Sequence, residues 1–263
     1  MWEASRQSRS VRHDSFEPIL ATLAFVLWIN VFRLADLYGG PYGLHQWKLR
    51  GPPCTDRDFQ GQHPLEVLLK PGHSVLAALL FLAPLFLIDT LYPRRKLPVE
   101  PPTSAGLLGG VASSLFLYDF LFFWIHVALH RSSWLYRYVH ATHHQQLVLT
   151  SGEVVHHNLV DGVLQVGTNV VVLNTLGLHP LTRALHNVTV TYLLTESHSG
   201  YDAPWMLHNI VPFGLIGGPP AHEAHHIHGH THFHQFLTWL DWLPPALDGV
   251  MRSKRILPPV VVR

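Results

Sequence analysis

The chain has 263 residues, of which 48% are hydrophobic and only 13% charged, with a formal net charge of +1; a soluble domain carries about 25% charged residues. The shortfall points to lipid as part of the solvent, the length suits one domain, and the lack of a basic field argues against a nucleic-acid partner. Cys54 is the only cysteine, which excludes an internal disulfide and a thiolate cluster, whereas 22 histidines make nitrogen ligands abundant.

Residues 1–17, with Arg6, Arg9 and Arg12, read as a polar, disordered tail. The apolar run from Pro18 to about Phe32 ends near Arg33 and Asp36. It has the charged flank of a signal peptide but no small-residue cleavage site, so it reads as a retained membrane anchor. Residues 39–72, rich in Gly and Pro, read as a loop. Residues 73–92 are long enough to span hydrocarbon, which takes about 20 helical residues, and Pro93 to Thr103 form a linker. The strongest predicted helix, 105–129, carries Asp119 and His126; ionisable groups in a membrane helix are costly and mark function by default. Two further apolar stretches, about 162–178 and 181–196, flank Gly177 and His179-Pro180 and read as a helical hairpin. From His198 onward the chain is too polar to cross a membrane. Basic residues fall in the N-terminus, the first loop and Arg94-Arg95-Lys96 alike, so the charge-bias rule sets no orientation.

Three histidine clusters carry the chemistry. His126-x-x-x-His130 lies at the end of the strongest helix, where a spacing of four puts both rings on one face. His140-x-x-His143-His144 and His222-x-x-His225-His226 have the i, i+3, i+4 spacing that also shares a helical face. A lone histidine on an apolar face is usually a core residue with a satisfied hydrogen bond, and a His-rich tract can be a loose surface scavenger. Eight histidines in three helically phased groups beside membrane-length segments instead read as metal ligands. Eight imidazoles are too many for one ion and suit two, since catalytic zinc takes about three protein ligands and a water. Imidazole accepts iron, zinc, copper and nickel alike. Attack on an unactivated C–H bond in a lipid needs a redox metal and dioxygen, which favours iron.

The triple pattern H-x-x-x-H, H-x-x-H-H and distant H-x-x-H-H resembles the fatty acid hydroxylase/sterol desaturase superfamily over roughly residues 105–243. Trp134-Leu135-Tyr136-Arg137 before the second cluster, Leu178-His179-Pro180-Leu181-Thr182 and Glu196-Ser197-His198-Ser199-Gly200-Tyr201-Asp202 resemble cholesterol 25-hydroxylases. The E-x-H-S-G-Y part is shared with sterol 4-methyl oxidases, and Val160-Asp161-Gly162-Val163-Leu164-Gln165 is similar to sterol 5-desaturases. By this resemblance His198 becomes a ninth ligand. His157 or Asn158 falls where relatives have another histidine, and His232 where they have an asparagine. The usual W-D-x-x-F-G-T ending is degraded here to Trp239-Leu240-Asp241-Trp242-Leu243. Carboxylates that orient metal-bound rings are sought among Glu153, Asp161, Glu196 and Glu223.

The resemblance implies an all-α integral membrane bundle of about four to five helices with a histidine-rich helical cap holding a non-haem di-iron site. It divides the chain into a polar tail (1–17), anchoring helices and loops (18–104), a catalytic region (105–250) and a C-terminal tail (251–263). The implied activity is hydroxylation of a lipid, most closely a sterol, with dioxygen as co-substrate and electrons from NAD(P)H through a reductase and cytochrome b5. The implied location is the endoplasmic reticulum membrane, with the site facing the cytosol. Sterol 4-methyl oxidation or 5-desaturation belongs to the same class. A histidine-rich membrane metal carrier is the alternative of another class, and it would place its ligands along a path within the helices.

Overall fold

The computed structural model describes residues 2–50, 75–91, 97–145 and 149–243, and these are helical; two isolated bridges, Lys48 with Tyr201 and Ile216 with Leu237, are the extended pairings among them. Five long helices form the bundle: α1 (Phe16–Tyr38), α2 (Val75–Leu91), α3 (Ser104–Arg131), α4 (Leu159–Thr175) and α5 (Pro180–Ser197). A shorter helix, α6 (Gly218–His228), lies in the cap. α1 packs along α5, α2 against α1 and α4, and α3 against α4 and α5. Where they meet, Phe25, Ile29, Leu82, Leu85, Phe122, Val172 and Leu194 form one buried cluster.

Local signals set the helix ends. Thr103 caps α3 by accepting from the Gly106 N–H at 3.0 Å, and Asn158 caps α4 by accepting from the Val160 N–H at 2.9 Å. α5 starts at Pro180, whose missing N–H costs nothing at a first helical position, with His179 accepting from the Leu181 N–H at 3.0 Å. The α4–α5 hairpin turns as expected. α3 and α5 approach closely at Gly110, where any β-carbon would lie 2.7 Å from the Thr182 methyl.

α1 and α3, at 23 and 28 residues, are the described helices long and apolar enough to cross a bilayer. Along α1, Ile19, Leu23, Leu27 and Val31 recur every fourth residue on the exposed side. Such a stripe is a liability in water and is satisfied by lipid. α2 and α4 have 17 residues each and α5 has 18 with many polar side chains, so of the four to five spanning helices expected, length and apolarity mark two, α1 and α3, among the described residues.

Two expectations for the N-terminal region change. Residues 2–12 are not a loose tail: Trp2–Gln7 and Arg9–Arg12 are short helices, the Trp2 ring lies 4.7 Å from that of His179, and Glu17 is buried against Arg183 at 3.0 Å. The first apolar helix does not stop near Phe32 but runs to Tyr38, because Asp36 is neutralised by Lys48 at 2.7 Å. Lys48 also donates to the Ser199 carbonyl at 2.8 Å, which fastens the chain after α1 to the turn after α5. The expected C-terminal tail and most of the loop and linker around α2 lie outside the described residues.

Candidate metal centre

The C-terminal end of α3 delivers the first two imidazoles. His126 and His130 are one turn apart and both buried. After α3 the chain enters a π-helical segment, Tyr136–His140, in which the Ala141 N–H bonds the Tyr136 carbonyl at 2.7 Å; such wide turns concentrate at functional sites. A 3₁₀ turn, His143–Gln145, follows. The second cluster therefore does not share one α-helical face as its spacing predicts. His140 and His144 point one way and His143 another. α6 repeats the split from a regular helix, with His222 and His226 on one side and His225 on the other.

The result is two adjoining groups. His126, His130, His140, His144 and His225 form one, and His143, His198, His222 and His226 the other; in each, one ligand nitrogen from every residue lies within 4.8 Å of the rest. All nine histidines expected as ligands are thus brought together, and each is at most 6% exposed. The groups touch through His144 and His226, whose ring centroids are 4.5 Å apart.

The geometry fits bound metal. Imidazoles sharing one ion through bonds of about 2.0–2.1 Å have neighbouring nitrogens about 3.0–3.4 Å apart. Nε2 atoms of His140 and His144 are 3.2 Å apart, those of His198 and His222 2.9 Å, His222 and His226 3.1 Å, and His143 and His198 3.4 Å. Nε2 of His126, His130 and His225 is buried without a hydrogen-bond partner, a rare condition that calls for an explanation such as an ion. On four of the nine rings the opposite nitrogen, Nδ1, is committed as a donor. His126 Nδ1 donates to the Phe233 carbonyl at 2.9 Å, His225 to Thr231 at 2.7 Å, His198 to Leu194 at 2.7 Å, and His140 to the Asp161 carboxylate at 2.8 Å. Donation through Nδ1 fixes the tautomer and leaves the Nε2 lone pair facing inward. Burial also pushes the imidazoles of His143, His144, His222, His225 and His226 well below the ordinary histidine range, so they are neutral, as ligands must be.

The remaining predicted residues take other places. His157 lies outside both groups, donating to Asp161 at 3.1 Å and bonding the Val154 carbonyl at 2.9 Å, with its ring stacked 4.2 Å from that of His143. Asn158 is a helix cap. His232, at φ +55°, falls in a separate small group with His234 and Asp241. Glu196 accepts from the Tyr192 hydroxyl at 3.0 Å, Glu153 pairs with His156 and Glu223 with Arg50. Of the four carboxylates considered, Asp161 alone is bonded to one of the nine histidines.

The supports that sequence did not reveal are in the loop 231–237. Asp119 Oδ1 accepts from the backbone N–H groups of Gln235, Phe236 and Leu237 at 3.0, 2.7 and 3.3 Å. Asp241 accepts from the Phe233 N–H at 3.2 Å and from His234. Two carboxylates thus hold the loop whose carbonyls orient His126 and His225. Asp119 stood out in sequence as a charge in an apolar helix, but nothing there named its partners, and Asp241 appeared only inside a degraded motif.

A cavity of about 370 Å³ lies elsewhere, between the N-terminal helices and the α4–α5 turn, and Arg183 lines it. Fifteen helical residues separate Arg183 from His198, about 22 Å, so this cavity is not the reaction chamber.

The fatty acid hydroxylase family model matches residues 111–244, which encloses both histidine groups. Cholesterol 25-hydroxylase-like protein 2 of Danio rerio is 38% identical over 254 residues, covering 92% of this chain and 86% of that protein. Human cholesterol 25-hydroxylase is 33% identical over 259 residues, covering 97% and 91%, and a cholesterol 25-hydroxylase-like protein of Caenorhabditis elegans is 31% identical over 247 residues, covering 92% and 78%. No solved structure gives a significant match.

Proposed function

Because this chain belongs to the fatty acid hydroxylase family and is an oxidoreductase, we propose that it is a membrane-embedded hydroxylase of sterols in which nine histidines hold two iron ions. The observation that carries this reading is the convergence of nine buried imidazoles into two touching groups at one end of an apolar helix bundle. The relatives' names supply the substrate class, and their side-chain hydroxylation of cholesterol is the reaction assigned to this chain.

Bound iron would supply the redox chemistry by which dioxygen and two electrons hydroxylate an unactivated C–H bond. The chain's own contribution is positional. His126, His130, His140, His144 and His225 present five nitrogens to one ion, and His143, His198, His222 and His226 four to the other. Asp161 and the carbonyls of Leu194, Thr231 and Phe233 keep the rings turned inward. The buried aliphatic and aromatic side chains beneath the centre exclude water from the oxidised carbon. Electrons arrive from NAD(P)H through a reductase and cytochrome b5, in an endoplasmic reticulum membrane with the histidine cap in the cytosol.

The carrier alternative needs ligands strung along a path through the helices, whereas these gather at helix ends. The test is to purify the full chain in detergent, measure its metal content, and follow dioxygen-dependent conversion of sterols by mass spectrometry. Iron together with side-chain-hydroxylated sterol supports the proposal. Iron-free protein, or a 4-methyl-oxidised or 5-desaturated product in place of the hydroxylated one, counts against it.

A further inference from the structure

Within the bundle a continuous line of polar side chains crosses from α1 to α3. Arg183 donates from Nε to both Glu17 oxygens at 3.1 and 3.0 Å, and Asn187 donates to Glu17 at 2.9 Å. Asn169 donates to the Asn187 carbonyl at 3.1 Å, His186 donates from Nε2 to the Asn169 carbonyl at 2.7 Å, and Ser114 meets His186 Nδ1 at 2.7 Å. Ser114, Asn169, Glu17, His186 and Asn187 are all buried. Polar groups among membrane helices are costly and mark function by default, and aliphatic residues of similar size would pack there without desolvation cost.

The line is not closed upon itself. A primary amide has two N–H donors, and Asn169 and Asn187 each use one within it. Both residues also line a small cavity of about 30 Å³ that continues along α5 through Val190 and Thr191 to Leu194. Leu194 is the residue whose carbonyl holds His198. The cavity therefore runs from the two amides along α5 towards its histidine-bearing end and stops at Leu194, one helical turn before His198. Asn187 precedes His198 by eleven residues, about 16 Å of helix, and Ser114 precedes His126 by twelve, about 18 Å. That span matches the length of a sterol from its ring hydroxyl to the branched end of its side chain.

We propose that Asn169 and Asn187 bind the ring hydroxyl of the substrate, so that the sterol lies along α5 with its side-chain end at the histidines. The inference rests on the sterol reading above and adds to it a rule for which carbon is oxidised. Leu82 and Leu85 of α2 form the opposite wall of the cavity, and seating the sterol parts α2 from α4. Gln165 and Tyr118 line the same cavity nearer the histidines; a hydroxyl held there would bring a ring carbon, not the side chain, to the centre.

The test compares cholesterol with cholest-5-ene, which lacks the hydroxyl, in membranes containing the full chain. The wild type should favour cholesterol at least about tenfold in kcat/KM and oxidise its side chain. Asn187→Leu and Asn169→Leu, checked for wild-type metal content, should lower kcat/KM for cholesterol about tenfold and bring the ratio of the two sterols close to one. Equal use of both sterols by the wild type overturns the proposal without any variant. So does ring oxidation, or a preference retained in both metal-loaded variants. Conversion of fatty acyl substrates with neither sterol used is a different failure, which removes the sterol reading itself.

Discussion

Asp119 reaches from the middle of a membrane-length helix to the Phe236 N–H, 2.7 Å away and 117 residues later in the chain. The same oxygen serves Gln235 and Leu237, so one carboxylate sets the path of the loop that carries the Thr231 and Phe233 carbonyls. Replacing it with Leu leaves three backbone donors short of their acceptor. An orphaned buried donor costs about 1–3 kcal/mol, so Asp119→Leu should lower stability by several kcal/mol and release metal from the group containing His126 and His225. Asp119→Asn keeps an oxygen in place and should recover much of both. Thermal unfolding in detergent, read beside metal content, checks the pair; equal loss in Leu and Asn variants would mean that the charge, not the acceptor, is what the loop needs.

Asp161 accepts from both His140 and His157. Partners of this kind typically change metal affinity about 10–100-fold. Asp161→Asn should therefore weaken metal retention against a chelator by that order while leaving the protein in the membrane. His157→Ala, which removes a support but no ligand, should have the smaller effect. Chelator competition at fixed pH distinguishes the two variants.

One histidine from each group tests the arrangement directly. His225→Ala and His222→Ala remove nitrogens from different groups on the same helix, and each should abolish turnover with the protein still membrane-bound. Retention of full activity by either variant would remove that group from the reaction. Metal analysis should show a partial loss in each, and a larger loss in the double variant.

The pH response has a definite sign. His143, His144, His222, His225 and His226 are held below the ordinary histidine value by burial, so below about pH 6.5 the unfolded chain binds more protons than the folded one. Stability of the metal-free protein should then fall as pH drops through that value, and metal occupancy should fall with it. Unfolding temperatures of chelator-stripped protein at pH 7.5 and 5.5 measure this directly. No decrease at the lower pH would show that these rings are not buried in the neutral form.

How much of this was legible beforehand depends on whether the information was local. Histidines at 126/130, 140/143/144 and 222/225/226 announce themselves by spacing, and the apolar runs announce the helices. The sorting of the rings was hidden, because in the second cluster it follows a π-helical segment, Tyr136–His140, and in the third it divides one regular helix, and no short-range pattern signals either. Loop carbonyls at Thr231 and Phe233 carry no side-chain signature at all. The order of the N-terminal residues is hidden for a related reason: their composition is polar, but Trp2 and Glu17 find partners in His179, at the start of α5, and Arg183, within it, far away in sequence.

The division of sequence neighbours between the two nitrogen clusters has a mechanical consequence. His143 and His144 are joined by a single peptide unit, as are His225 and His226, and consecutive α-carbons stay about 3.8 Å apart whatever the tertiary structure does. The gap between the clusters is thereby bridged twice by covalent bonds of fixed length. Breathing of the bundle can tilt or shear the pair, but it cannot draw them apart as two bodies.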